Sequence, residues 1–229
     1  MSEDNLQELF GNIDIYLFDQ LLKRRLISGM RVLDAGCGTG RNLIYFLRNG
    51  YEVFAVDQSE DAILEVRKLA SALAPHLPAD NFRVEPVEQM SFGREANSRQ
   101  QTVNCKAPAN TTGHFEPNSH LGFDVVLSSA VLHFARDEEQ WQAMVNEMWR
   151  VLKPGGIFFA RLASTIGIED KIQQIERRRF HLPDGSDRFL VDEAMLRRVT
   201  TAVGGEFIEP IKTTVVENLR AMTTWVVKK

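Results

Sequence analysis

The chain has 229 residues, 44% hydrophobic and 25% charged, with a formal net charge of −4. That size and balance suit one large domain with its own core, and the acidic balance argues against a general nucleic-acid binder, which carries a basic footprint. No apolar run reaches the roughly 18 residues a membrane span needs, and the two cysteines, Cys37 and Cys105, form no metal-ligand pattern. The acidic, amphipathic start MSEDNLQELFGNIDIY is unlike a signal peptide, so a reducing, cytoplasmic setting is expected and Asn110-Thr111-Thr112 reads as a chance sequon.

Residues 5–27 read as one helix, because Leu6, Leu9, Phe10, Ile13, Leu17 and Leu21 recur at helical spacing. Met30 to Leu33 is a short apolar strand that ends in Asp34 and a glycine-rich turn. A helix carrying Leu43, Ile44, Phe46 and Leu47 follows, stopped by Asn49-Gly50. Tyr51 to Val56 is a buried strand ended by Asp57. Ser59 then caps a helix whose Ile63, Val66, Ala70 and Leu73 share a face. Phe82 to Val87 is a third strand, weakened by Pro86. Residues 93–122 are polar and aperiodic, and are expected to be a surface insertion.

Beyond the insertion, Phe123 to Ser128 reads as a strand, and Asp137 caps a helix with Trp141, Met144, Val145 and Met148. LKPGG turns into a strand from Ile157 to Leu162. A charged helix over 168–180, a loop from His181 to Phe189 and a helix near 192–203 come next. Glu206 to Val216 and Arg220 to Val227 close the chain as an antiparallel pair. The expected fold is therefore α/β: a doubly wound, mostly parallel seven-stranded sheet, helices on both faces, and a reversed strand near one edge. One domain should span residues 1–229, with 1–28 as a helical cover and 163–192 as a lid.

VLDAGCGTG, Val32 to Gly40, lies between a strand and a helix, where open parallel sheets place ligands. Gly36, Gly38 and Gly40 let backbone approach a ligand, and the helix that follows offers unpaired N–H groups and a positive dipole end. Asp57 ends the next strand, 17 residues after Gly40, where one carboxylate can accept from two ribose hydroxyls. A dinucleotide fingerprint would need a glycine at Arg41, which disfavours an NAD-dependent oxidoreductase. Asp34, just before the first glycine, is a poor neighbour for pyrophosphate and a good one for the ammonium of an amino acid. S-adenosylmethionine (SAM) presents an amino acid and an adenosine together.

Across residues 12–162 the segments VLDAGCGTGRN, YEVFAVDQS, FDVVLSSAVLHF and WRVLKPGG through FFARL make the chain resemble class I SAM-dependent methyltransferases. Within them it looks most like the small single-domain group of tellurite-resistance and thiopurine-type enzymes. The resemblance implies that Asp34, Gly36, Cys37 and Gly38 surround the methionine part, that Asp57 holds the ribose, and that Gln58 packs beside adenine. Ser129 and Ala130 would line the sulfonium side. Many relatives carry an Asp where this chain has Pro86, leaving the Val87 N–H and Glu88 as adenine contacts.

Methyl transfer from a sulfonium mainly requires alignment of acceptor, methyl and sulfur. Four residues are candidates for touching the acceptor. Tyr16 sits on the leading helix, where it is either cofactor cover or core; His133 follows the fourth strand, and His181 and Arg188 lie in the expected lid. Cys37 reads as a small buried residue rather than a nucleophile. The leading expectation is a monomeric or homodimeric methyltransferase that acts on a small molecule, with SAM as donor, S-adenosylhomocysteine (SAH) as product, and no metal. A protein or nucleic-acid methyltransferase and a non-catalytic SAM- or SAH-binding protein are the competing readings.

Overall fold

A mixed sheet organises the described residues, 6–94 and 122–229, of the computed structural model. In chain order the first half comprises α1 (Leu6–Phe10), α2 (Ile15–Leu22), β1 (Arg31–Ala35), α3 (Ile44–Arg48), β2 (Glu52–Asp57), α4 (Glu60–Leu73) and β3 (Phe82–Val84). The second half comprises β4 (Phe123–Ser129), α5 (Glu138–Val151), β5 (Leu152–Ala163), β6 (Gln173–Glu176), β7 (Arg179–His181), β8 (Asp187–Phe189), α6 (Glu193–Ala202), β9 (Glu206–Phe207), β10 (Lys212–Val216) and β11 (Arg220–Lys228). The main sheet runs β10-β11-β5-β4-β1-β2-β3, with the two-residue β9 also on β11. The pairings from β5 through β3 are parallel, and β11 is antiparallel to both β5 and β10. This is the doubly wound sheet with one reversed strand expected from the sequence.

The inner strands are apolar throughout because both sheet faces are covered. Alternate residues feed two separate cores: Phe54 and Val56 of β2 join Trp141, Met144 and Met148 of α5, while Val53 and Ala55 join Ile63 and Val66 of α4. Side chains at the N-caps close α4, α5 and α6: Ser59 accepts from the Ala62 N–H at 3.3 Å, Asp137 from Gln140 at 2.8 Å, and Asp192 from Met195 at 2.6 Å.

Two expected helices take other forms. The single helix over 5–27 is broken: Gly11 adopts φ +59°, and Asp14 caps a new helix by accepting from the Tyr16 N–H at 2.9 Å. Apolar spacing continues across the break, so turn chemistry overrides periodicity here. The charged helix over 168–180 is instead a hairpin, β6 on β7, to which β8 adds a third antiparallel strand. Between Ile168 and Phe180 the only apolar residues are Ile172 and Ile175, too few for a buried helical stripe. Arg177 turns the hairpin at φ +50°, and Phe180 packs beside Leu182 and Leu190. The third strand is also shorter than expected, ending at Val84 before Pro86. Cys105, the sequon and residues 95–121 of the expected insertion lie outside the described residues.

Chain order gives the sheet its crevice. From β1 the chain winds outward through β2 and β3, then crosses to β4 on the other side of β1. Ligands of open parallel sheets sit outside the carboxyl ends at such a switch point. No helix among the described residues is long and apolar enough to cross a membrane.

Candidate functional site

At the end of β1 the chain turns sharply, and the Gly36 and Cys37 N–H groups both donate to the Val56 carbonyl, at 2.8 and 3.0 Å. The turn demands glycine at position 36: φ is +82°, and a Cβ there would lie 2.5 Å from Val131 Cγ2. Asp57 tethers the far side of the loop. Its Oδ2 accepts from the Gly38 N–H and its Oδ1 from the Ser59 N–H, both at 2.9 Å. A cavity of about 520 Å³ opens above this loop and between the ends of β1, β2 and β4.

Gly36, Cys37, Gly38, Asp57, Gln58, Val87, Glu88, Ser129 and Ala130 all border this cavity. Gly40 does not; a Cβ there would meet Val66 and Leu69 at 3.1 and 3.3 Å, so its place is in packing against α4. Asp34 lies beneath the loop, 1% exposed, and its Oδ2 has no hydrogen-bond partner among the described residues. Burial pushes its carboxyl up to about 7, with the Asp57 charge adding to the effect and Arg41 opposing it. The Cys37 thiol is raised by burial and by Asp34 and Asp57, which keeps it protonated and un-nucleophilic.

The helix expected directly after the glycine loop starts only at Ile44 and has five residues. Positive charge at the loop comes instead from Arg41, which borders the cavity and donates to Ser129 Oγ at 2.9 Å. Asn42 pins the loop to the N-terminal helices, its Oδ1 accepting from the Asp14 N–H at 3.0 Å. Ala130 adopts φ +64°, unusual for a residue with a side chain. Such a conformation costs on the order of 1–3 kcal/mol and collects at working sites.

A second cavity, of about 410 Å³, adjoins the first and shares Arg41, Ala130 and Phe134 with it. His133 and Arg188 border it. His181 borders neither cavity; it is exposed, with Nδ1 2.7 Å from Asp187. Tyr16 also borders neither cavity: its hydroxyl pairs with Thr214 Oγ1 at 2.6 Å, and Arg161 stacks on its ring at 4.6 Å. Two of the four candidate acceptor contacts therefore meet at this cavity. Asp14, Arg41, Arg161, Asp184 and Arg220, which sequence reasoning missed, border it as well. Only Arg41 carried a local signal, by following the last glycine of the motif.

His133 is a donor at neutral pH. Its Nδ1 accepts from the Ala163 N–H at 3.2 Å, so the neutral ring carries its proton on Nε2. Burial lowers its pKa from 6.5 to about 4, and the charges of Arg188 and Arg220 add to the shift. An unfolded chain takes up this proton near 6.5 and the folded one only near 4. The native state is thus unpenalised above pH 6.5 and loses stability as pH falls from 6.5 to 4. NMR titration of the His133 ring protons should give an inflection near 4, and one near 6.5 would contradict this assignment.

Residues 33–158 match a protein family described as "Methyltransferase domain". Over 179 residues the chain is 27% identical to a malonyl-[acyl-carrier protein] O-methyltransferase of Enterobacter lignolyticus, covering 77% of this chain and 55% of the relative. Over 139 residues it is 25% identical to the tRNA 5-carboxymethoxyuridine methyltransferase of Escherichia coli, covering 61% of this chain and 42% of the relative. The chain thus spans about half the length of these curated relatives. Among solved structures, the 1,6-didemethyltoxoflavin-N1-methyltransferase of Burkholderia thailandensis, which holds 1,6-didemethyltoxoflavin and SAH, superposes with a TM-score of 0.61. That similarity covers 94% of this chain and 75% of the other, at 19% sequence identity.

Proposed function

Because the chain belongs to the methyltransferase domain family, we propose that it transfers the methyl group of SAM to a small-molecule acceptor, in the manner of the compact tellurite-resistance and thiopurine-type enzymes. The observation that carries this reading is the Asp57 carboxylate on the cavity wall, tethering the glycine loop, with an unpartnered buried carboxylate oxygen of Asp34 beneath that loop. A cationic amino-acid end and a diol end suit those two groups. When bound there, SAM supplies a methyl group on a sulfonium, an already activated leaving group.

The chain's own residues then bind and orient SAM. Gly36 and Gly38 let backbone approach the ligand, and Asp34 would offset the ammonium charge beneath them. Asp57 has lone pairs left on both oxygens for ribose hydroxyls beyond its two backbone donors. Gln58, Val87 and Glu88 form the wall assigned to adenine, where Glu88 is braced by Gln140 Nε2 at 2.7 Å. Ser129 and Ala130 lie on the side that leads to the second cavity. Phe134 and Met144 give the first cavity an apolar part of its lining. His133, neutral with Nδ1 engaged, can position an acceptor by donating from Nε2 but cannot serve as its base.

The second cavity, at about 410 Å³, is sized for a small molecule. Incubating the protein with SAM and a panel of small acceptors should release SAH with at least one of them. If SAM binds and no acceptor yields SAH above the no-acceptor rate, the non-catalytic reading replaces this one.

A further inference from the structure

We infer that the acceptor carries an oxyanion, a carboxylate or a phosphate on an apolar body, which Arg188 and Arg220 hold in the second cavity. The inference deepens the methyltransferase reading and rests on it. Four arginines, Arg41, Arg161, Arg188 and Arg220, border this cavity against two carboxylates, Asp14 and Asp184. Subtracting two negative charges from four positive leaves an excess of +2, in a chain whose net charge is −4. A cleft lined by one sign of charge concentrates ligands of the other.

The four cations fall into two pairs, each with one carboxylate nearby. Asp14 Oδ2 lies 3.1 Å from Arg161 Nε and 3.8 Å from Arg41, so those two cations share one carboxylate. Asp184 accepts from the Ser186 N–H at 3.0 Å and its hydroxyl at 2.6 Å, and the nearby charges of Arg188 and Arg220 also lower its carboxyl, so one carboxylate stands near these two cations without pairing directly with either. Among the described residues, Arg188 and Arg220 have no carboxylate within ion-pair distance. Arg188 is already held in place: its guanidinium stacks on Phe134 at 4.8 Å, and Nη1 donates to the Asp187 carbonyl at 2.8 Å. A guanidinium fixed on one face still offers its edge, the geometry that carboxylates and phosphates match with paired hydrogen bonds. The His133 Nε2–H adds a neutral donor to the same wall. Ala163, Leu182 and Met222 complete the lining, so the cavity pairs a cationic wall with an apolar one.

Calorimetry with SAH on the parent chain comes first and reports separately on the methyltransferase reading; absence of binding overturns both. SAH-saturated protein is then titrated with benzoate, phenyl phosphate and neutral benzamide, with binding read by saturation-transfer NMR. At least one of the two anions should bind saturably and at least tenfold more tightly than benzamide, and whichever does identifies the oxyanion. The double variant Arg188→Gln/Arg220→Gln should lose at least tenfold in affinity for that anion while its SAH affinity stays within twofold. Arg188→Lys/Arg220→Lys, which keeps the charge, should bind more tightly than the glutamine pair and so excludes simple misfolding. Benzamide binding as tightly as the anions, full anion affinity in the glutamine variant, or no anion binding to SAH-loaded protein would each overturn the proposal.

Discussion

Asp57→Ala should weaken SAM binding by about 2–4 kcal/mol, roughly 30- to 1000-fold, with the fold intact. Each hydrogen bond from a ribose hydroxyl to a carboxylate is worth about 1.5–3 kcal/mol, and every 1.4 kcal/mol is about a factor of ten in affinity. The structure adds a second reason for a large effect. The same carboxylate holds the Gly38 and Ser59 N–H groups at 2.9 Å, so the alanine variant also loosens the Gly38 side of the glycine loop, which stays tied to β2 through the Val56 carbonyl. Both N–H groups lie near the cavity mouth, where water can replace the lost acceptor, so thermal stability should fall by only about 1 kcal/mol. Calorimetry and a melting curve on the same sample separate the two effects. Unchanged SAM affinity would remove Asp57 from the site.

Gly36→Ala should act the other way round, through the fold. At φ +82° a side chain costs about 1–2 kcal/mol, and the added Cβ would lie 2.5 and 2.6 Å from the two γ-carbons of Val131. Relieving that overlap moves either β1's turn or the segment after β4, at a further cost of about 1–3 kcal/mol. A total near 3 kcal/mol corresponds to a melting midpoint about 6–12 °C lower for a chain of this size. Gly38→Ala is the control: φ is +52°, but no atom lies within 4 Å of its Cβ. It should lose only about 1 kcal/mol of stability while still placing a methyl group on the cavity wall. Val131→Ala should restore part of the Gly36→Ala loss, because the two residues are in contact and their effects are coupled. Equal melting midpoints for Gly36→Ala and Gly38→Ala would show that crowding against Val131 does not constrain the turn.

What the sequence reveals here depends on how local the cause is. The turn after β1, the carboxylate ending β2 and the apolar strands β1, β2 and β4 are each fixed by a few consecutive residues, so spacing alone locates them. The reversed strand is legible because only Glu217, Asn218 and Leu219 separate β10 from β11, too few for a crossover. The break at Gly11 escapes a reading by periodicity because the apolar period continues through it. The hairpin at 173–181 escapes it because charged residues at helical intervals resemble a solvated helix until an antiparallel partner is present. The cationic wall is beyond reach for another reason. Arg41, Arg161, Arg188 and Arg220 come from a loop, β5, β8 and β11, and β11 must lie beside β5, with Thr224 opposite Arg161, before they can share a cavity.

One ligand gripped between the glycine turn and Asp57 is the claim from which the rest descends. Calorimetric titration of the purified chain with SAM, set against NAD under the same conditions, tests it most directly. One saturable site for SAM is expected, its affinity reduced at least 30-fold by Asp57→Ala, with no measurable heat from NAD. Binding of NAD without SAM, or silence toward SAM at millimolar concentration, would contradict it.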